Sequence, residues 1–297
     1  MSSRLETLMQ QVGSLPALPL VLMRINDLVN NPKTSALELS RVILEDQALT
    51  ARLLRLVNSP FYGFPRRIAT VTEALTILGF HQVRNLLLTV TVVDLLGGEE
   101  TAEFSPMRLW RHAVGTAVAA GLLARQVCPE DREGMFVAGL LHDVGKLVEC
   151  EYLREEFMKA LLLARAEDMP MRAAEQRVLG FSHDQVSRLL ANQWKLPIRL
   201  TEAMTCHHRP DLAQAARREA AIVHLADILC HALGLGSGDL DAVPSLDEEA
   251  WKRLRLPLGV LEPLMAELEE KYEAAQESLL AHTNSHPTSS RQLAYAR

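Results

Sequence analysis

The chain has 297 residues, room for two domains of ordinary size and a sizeable core. Hydrophobic residues make up 48%, which excludes disorder by composition, and the formal net charge of −6 argues against non-specific binding to nucleic acid or to an acidic membrane surface. The four cysteines, Cys128, Cys150, Cys206 and Cys230, include no close-spaced pair, which excludes a zinc ribbon and disfavours a disulfide framework.

Nearly every segment reads at helical period. "TSALELSRVILED" offers Thr34 or Ser35 as a cap before apolar residues at three- and four-residue steps. "DQALTARLLRLVNS" repeats the pattern with Asp46 as its cap. The stretch "NSPFYGFPRRIAT" then breaks the period. It reads either as a packed loop filled by its own aromatics, or as a contact surface with Arg66 and Arg67 facing an anionic partner or ligand. "VTEALTILGF" and "HQVRNLLLTVTVVDLL" follow. The second is rich in β-branched residues, but its length and its place among helices predict a buried helix. "GGEETAEF", from Gly97 to Phe104, is the best linker. Ser105-Pro106 is a strong helix start. "GLGSGDLDAVPSLDEE" is a second break, and "HTNSHPTSSRQLAYAR" reads as a mobile tail. Little alternates at period two, and no run is long and apolar enough for a membrane span or a signal core. The expectation is a soluble, all-α protein of a reducing cytoplasm.

Six of the ten histidines lie between residues 105 and 230. His112 sits within the Ser105 helix, on the face of Leu109 and Thr116. His142-Asp143 closes the apolar run "FVAGLL", where each polar group must find a partner or cost free energy. His183 follows a Ser182 cap, and His207-His208 ends the helix that starts after Pro197. Asp227 lies in "AAIVHLADILCHAL", a helix apolar nearly all round. The plain alternative is that His142 caps one helix end and Asp143 the next. Asp227 resists such a reading, because an Asp in an apolar helix needs a cation or several donors. Imidazoles and carboxylates together suit Fe, Mn, Zn, Ni or Mg rather than Ca. His112, His142, Asp143, His183, His207, His208 and Asp227 are more ligands than one ion takes from protein, so two divalent ions sharing Asp143 would use them naturally. Lys146, one turn further on, is placed to meet a phosphate as a point charge.

The order His112, His142-Asp143, Asp227 resembles the HD superfamily of metal-dependent phosphohydrolases, with "HDVGK" as a specific form of the central motif. His183 and His207-His208 look like the second metal half-site of the HD-GYP branch, which cleaves cyclic di-GMP. This resemblance covers roughly residues 105 to 233. The chain departs from that branch in two places. "HHRPDLAQAARRE" lacks the Gly-Tyr-Pro signature, and Arg108 stands where some relatives place a Glu that binds a third metal. From about residue 14 to 96, "LPALP", "ILEDQALTARLLRLVNSPFYG" and "IATVTEALTILGFHQVRNLLL" resemble the HDOD family, an HD-related output domain of bacterial signalling proteins. Many HDOD proteins have lost the metal ligands, whereas this chain keeps the set.

The resemblance implies an N-terminal helical subdomain (1–98) packed on an HD-type helical bundle (99–280), with a mobile tail (281–297). It implies a regulatory protein with a dinuclear metal centre, a signalling protein as partner and a nucleotide as a further ligand, with no direct role for nucleic acid or membrane. The alternative it implies is an active phosphohydrolase or phosphodiesterase on a nucleotide or cyclic nucleotide, with Asp143 and Lys146 as its catalytic residues.

Overall fold

The computed structural model describes residues 19–59, 62–95, 104–236 and 243–280. Among the described residues every regular element is a helix, as the period predicts. "LPALP" up to Leu18, Pro60, Phe61, the linker up to Glu103, the centre of the second break and the tail lie outside them.

Five helices form the first part: α1 (Leu20–Val29), α2 (Ala36–Leu44), α3 (Gln47–Val57), α4 (Val71–Leu78) and α5 (Phe80–Leu95). Their starts follow local capping chemistry. Ser35, rather than Thr34, accepts the Glu38 N–H at 3.2 Å, and Asp46 accepts that of Leu49 at 2.9 Å. The β-branched run of α5 is a helix because it is covered on several sides. Val83, Leu86, Leu87, Leu88 and Val90 are buried, with α1, α3 and α4 on one side and α7 on another.

The second part is built around α6 (Pro106–Val127), started by Ser105, whose hydroxyl accepts the Arg108 N–H at 3.3 Å. Its run of buried Ala and Gly lets three helices come close: α7 (Arg132–Leu141), α13 (Arg217–Ala232) and α15 (Leu261–Leu280). Between them the chain runs through α8 (Val144–Tyr152), α9 (Arg154–Glu167), α10 (Met171–Val178), α11 (His183–Gln193) and α12 (Ile198–Thr205). A short α14 (Glu248–Leu254) packs on α13. One apolar cluster runs from Leu22 to Ala275, so the two parts share a core. The seam is α5 against α7, and α3 against α15.

The loop after α3 is packed, though not by its own aromatics alone. Tyr62 stacks on Phe64 with ring centroids 5.8 Å apart, and also meets Phe136 of α7 at 6.5 Å. Its aromatics therefore serve the seam as well as the loop. Arg66 pairs with Glu73 at 3.0 Å. Asn58 fixes the loop base: its Nδ2 donates to the carbonyls of Leu54 (2.6 Å) and Ile68 (2.9 Å), and its Oδ1 accepts the Ile68 N–H (2.8 Å). Asn58→Ala should cost about 2 kcal/mol, since three hydrogen bonds are lost and a part-buried N–H and carbonyl lose their partner. Urea unfolding reads this as a lower midpoint at unchanged slope. An unchanged midpoint would show that the loop carries no stability.

Candidate metal centre

All seven sequence-predicted ligands converge on one place. Helix α6 brings His112, and the α7–α8 junction brings His142 and Asp143. The first residue of α11 is His183, the turn after α12 carries His207 and His208, and α13 brings Asp227. Six of them are at most 3% exposed, and His208 alone is partly exposed. Asp143 faces two ways. Its Oδ1 lies 3.3 Å from His183 Nε2 and 3.7 Å from His207 Nε2, while its Oδ2 lies 3.3 Å from His142 Nε2 and 2.9 Å from Lys146 Nζ. Asp227 Oδ1 is 2.9 Å from His112 Nε2 and 3.7 Å from His142 Nε2. His183 and His208 meet through their Nε2 atoms at 2.9 Å.

The tautomers follow from the outer partners. A carbonyl cannot donate, so His142 Nδ1, 2.6 Å from Gly139 O, carries its hydrogen, as does His207 Nδ1, 2.7 Å from Met204 O. His112 Nδ1 faces Leu235 O at 3.3 Å, and His183 Nδ1 faces the Glu175 carboxylate at 2.7 Å. In the neutral rings these four Nε2 atoms are then bare lone pairs, and all four face carboxylate oxygens. Among the described residues His142 Nε2, His207 Nε2 and Asp143 Oδ1 are buried with no hydrogen-bond partner. Acceptor against acceptor in a dry interior is unfavourable unless a cation lies between. The donor set and its orphaned atoms fit divalent metal.

The charge balance agrees. Burial opposes ionisation of Asp143, yet His142 and Lys146 hold its carboxyl well below the usual range. Burial likewise opposes that of Asp227, and the neighbouring His112, His142 and His231 rings outweigh it, holding its carboxyl well below the usual range. For His142 the cost of burial is overcome by Asp143 and Asp227, and its pKa is pushed up to about 10. In the metal-free centre a proton thus stands where a cation would. His207, by burial and beside His142, is pushed down to about 3 and stays neutral.

The surrounding groups fix these ligands. Glu175 Oε2 also accepts the backbone N–H of His183 at 2.9 Å. Glu149 is fully buried beside it. Burial and then the Glu175 charge push the Glu149 carboxyl well above the ordinary carboxylate range. Glu202 Oε2 accepts the N–H groups of Gln214, Ala215 and Ala216 at 3.0, 2.7 and 2.9 Å, pinning the chain after His207-His208. His224 Nδ1 donates to the carbonyl of His207 at 2.7 Å. The glycine of "HDVGK" has a steric cause: a Cβ on Gly145 would lie 2.0 Å from the His183 carbonyl oxygen.

The plain reading of His142-Asp143 is half right. His142 does satisfy a carbonyl at the end of α7, but Asp143 makes no cap hydrogen bond to α8. The sequence reading missed His231, buried on α13 with Nε2 3.3 Å from Asp227 Oδ1. Its spacing was the available signal, one turn after Asp227 in the same apolar helix. Glu149 and Glu175 were also missed, and no local pattern marks them.

Fold and cluster together define a helical HD-type domain with a buried set of His and Asp side chains. The chain belongs to the HDOD domain family, whose sequence profile matches residues 15–210. Its fold is similar to that of an HDOD domain protein of unknown function from Geobacter sulfurreducens, with TM-score 0.75 and 28% identity over 93% of this chain and 98% of that one. It is also similar to a candidate phosphohydrolase from Shewanella amazonensis SB2B, with TM-score 0.71 and 22% identity over 92% and 97%, a likeness of fold alone. An uncharacterized protein of Treponema pallidum (strain Nichols) is 26% identical over 199 residues, 67% of this chain. The match spans 38% of that curated relative's length.

Proposed function

We propose that this is a bacterial signal-transduction or regulatory HDOD protein whose HD cluster holds two divalent metal ions. The observation that carries the reading is the buried set of His142 Nε2, His207 Nε2 and Asp143 Oδ1, close together and with no hydrogen-bond partner among the described residues. Asp143, His183, His207 and His208 would hold one ion, and His112, His142, Asp143 and Asp227 the other. Asp143 supports the count of two because its oxygens face the two groups separately. A regulatory role is supported by the burial of six of the seven ligands, which leaves His208 as the approach for anything from solvent. The partner we propose is a signalling protein, with a nucleotide as a further ligand. A cavity of ≈ 730 Å³ beside the loop after α3, lined by Arg55, Asn58, Phe64, Arg66 and Arg67 among others, offers positive charge to either. Among the described residues no helix is long and apolar enough to cross a membrane, and we place the protein in the cytoplasm.

The second reading, a phosphohydrolase on a nucleotide, is favoured by Lys146. It is 5% exposed and its Nζ lies 2.9 Å from Asp143 Oδ2, beside the place a metal would take. Bound divalent ions supply Lewis acidity toward a phosphoryl group. Asp143 and Lys146 would then orient the phosphate and balance its charge.

Elemental analysis of the chain purified without added metal tests the shared premise, with two ions per chain expected. Protein without stoichiometric metal would sink both readings. The loaded protein is then offered cyclic di-GMP and a panel of nucleotides. Little or no turnover of cyclic di-GMP is expected, because the Gly-Tyr-Pro signature is missing after His208. Turnover of any of them at about 1 per second or faster, the ordinary range of enzymes, would overturn the purely regulatory reading.

A further inference from the structure

The cavity of ≈ 730 Å³ beside the loop after α3 shares no residue with the metal cluster. Arg55, Arg66 and Arg67 line it, and among the described residues no Asp or Glu does. Three guanidinium groups gathered on one wall stand out in a chain of net charge −6. Arg66 is partly neutralised by Glu73, 3.0 Å away. Arg55 and Arg67 make no ion pair among the described residues. The base of the cavity is formed in advance. Asn58, in its wall, commits its whole amide to Leu54 and Ile68, so the loop is closed before any ligand arrives. Ser59, also in the wall, is 4% exposed, and its hydroxyl has no hydrogen-bond partner among the described residues. An unpartnered buried hydroxyl costs free energy that an oxygen-rich ligand would recover.

Ordinary surface chemistry explains part of this. Arg55, in the last turn of α3, complements the helix dipole, and Arg66 has Glu73. It explains neither Arg67 nor the idle Ser59 hydroxyl. Phe64 adds a second kind of contact. Its ring is half-buried and lies nearly parallel to that of Tyr62, at 9°. Tyr62 covers one side of the ring, and Phe64 also borders the cavity, where a second flat group can stack. Guanidinium forks match phosphate oxygens, and an aromatic ring matches a base. An acidic or phosphoserine peptide would engage the arginines and leave the ring unused. The volume suits a small molecule, whose sites run to about 300–1,000 Å³.

We infer that this cavity binds a nucleoside polyphosphate, with its phosphates on Arg55, Arg67 and Ser59 and its base against Phe64. This rests on the proposed nucleotide ligand and gives it a site apart from the metal cluster. The probes are ATP and GTP, titrated calorimetrically into the full chain as purified, with tripolyphosphate, adenosine, guanosine and a phosphoserine peptide beside them. One of the two nucleotides should bind one to one, and more tightly than any of the other four. The double variant Arg55→Gln/Arg67→Gln should weaken it at least about tenfold and flatten its salt dependence. Phe64→Leu should weaken it about fivefold or more and leave the salt dependence as it was. Should the leucine variant fail to fold, Arg67→Gln alone decides, because that side chain is exposed and unpaired. Nucleotide affinity unchanged in the arginine variants, or lost from the wild type in chelator, would overturn this site and leave the nucleotide reading standing. A wild type that binds neither ATP nor GTP would overturn both. Tripolyphosphate or the peptide binding as tightly as the nucleotide would overturn the assignment in favour of a bare anion or a protein partner.

Discussion

Asp143→Asn should strip the centre of its tightly held metal and lower the melting temperature by about 10 °C or more. Two effects add. The first is linkage: a metal bound only by the folded chain stabilises it by about 4 kcal/mol at a thousandfold excess over its dissociation constant. The second remains without metal. Lys146, 5% exposed, has its ammonium 2.9 Å from Asp143 Oδ2. Removing one charge of a buried pair costs about 3–5 kcal/mol, because the other stays in a poor solvent. At roughly 2–4 °C per kcal/mol for a domain of this size, either effect alone is easily measured. Thermal melts of wild type and variant, each with and without chelator, separate them. Chelation should lower the wild type and leave the variant unchanged. The variant in chelator should still melt below the chelated wild type. Equal melting of chelated and untreated wild type would remove the metal share, and coincident melts in chelator would remove the Lys146 share.

Gly145→Ala should cost about 3 kcal/mol and weaken metal binding at least about tenfold, although residue 145 carries no ligand. The Gly145 N–H donates to Ser187 Oγ at 2.9 Å, and its Cα lies against the start of α11. A methyl there would sit 2.0 Å from the His183 carbonyl oxygen, which is backbone and cannot swing aside. Helix α8 must therefore back away from α11, carrying Asp143 from His183, now 3.3 Å apart. Gly259→Ala is the control, since nothing lies within 4 Å of a Cβ there. Denaturant midpoints and metal titrations of both variants give the test. A Gly145→Ala protein as stable as the control would show that α8 and α11 accommodate the methyl.

The sequence speaks most clearly where the physics is local. Ser35, Asp46 and Ser105 each accept a backbone N–H three residues ahead, so a cap and its helix are readable in one short window. The seven ligands were readable for another reason: their order along the chain matches a known pattern, and a carboxylate in the apolar α13 demands a cation. His231 escaped because that pattern has no place for it, although its spacing from Asp227 was in view. Glu149 and Glu175 could not be read. They sit on different helices, α8 and α10, and only their joint burial behind His183 gives them a role. The loop after α3 was legible as a loop, but not its use of Tyr62 against Phe136, a contact between residues 74 apart in the chain.

Helix α7 belongs to both parts of the molecule. Its end delivers His142 to the cluster, while Phe136 and the flank beside α5 receive the N-terminal helices. A shared strut of this kind makes any communication reciprocal. If a protein that grips the N-terminal helices shifts α7 and so weakens metal binding tenfold, then metal must weaken the grip of that protein by the same factor. Metal supply and partner supply would be interchangeable inputs to one equilibrium, so a cell depleted of the metal and a cell rich in the partner would hold the protein in the same state.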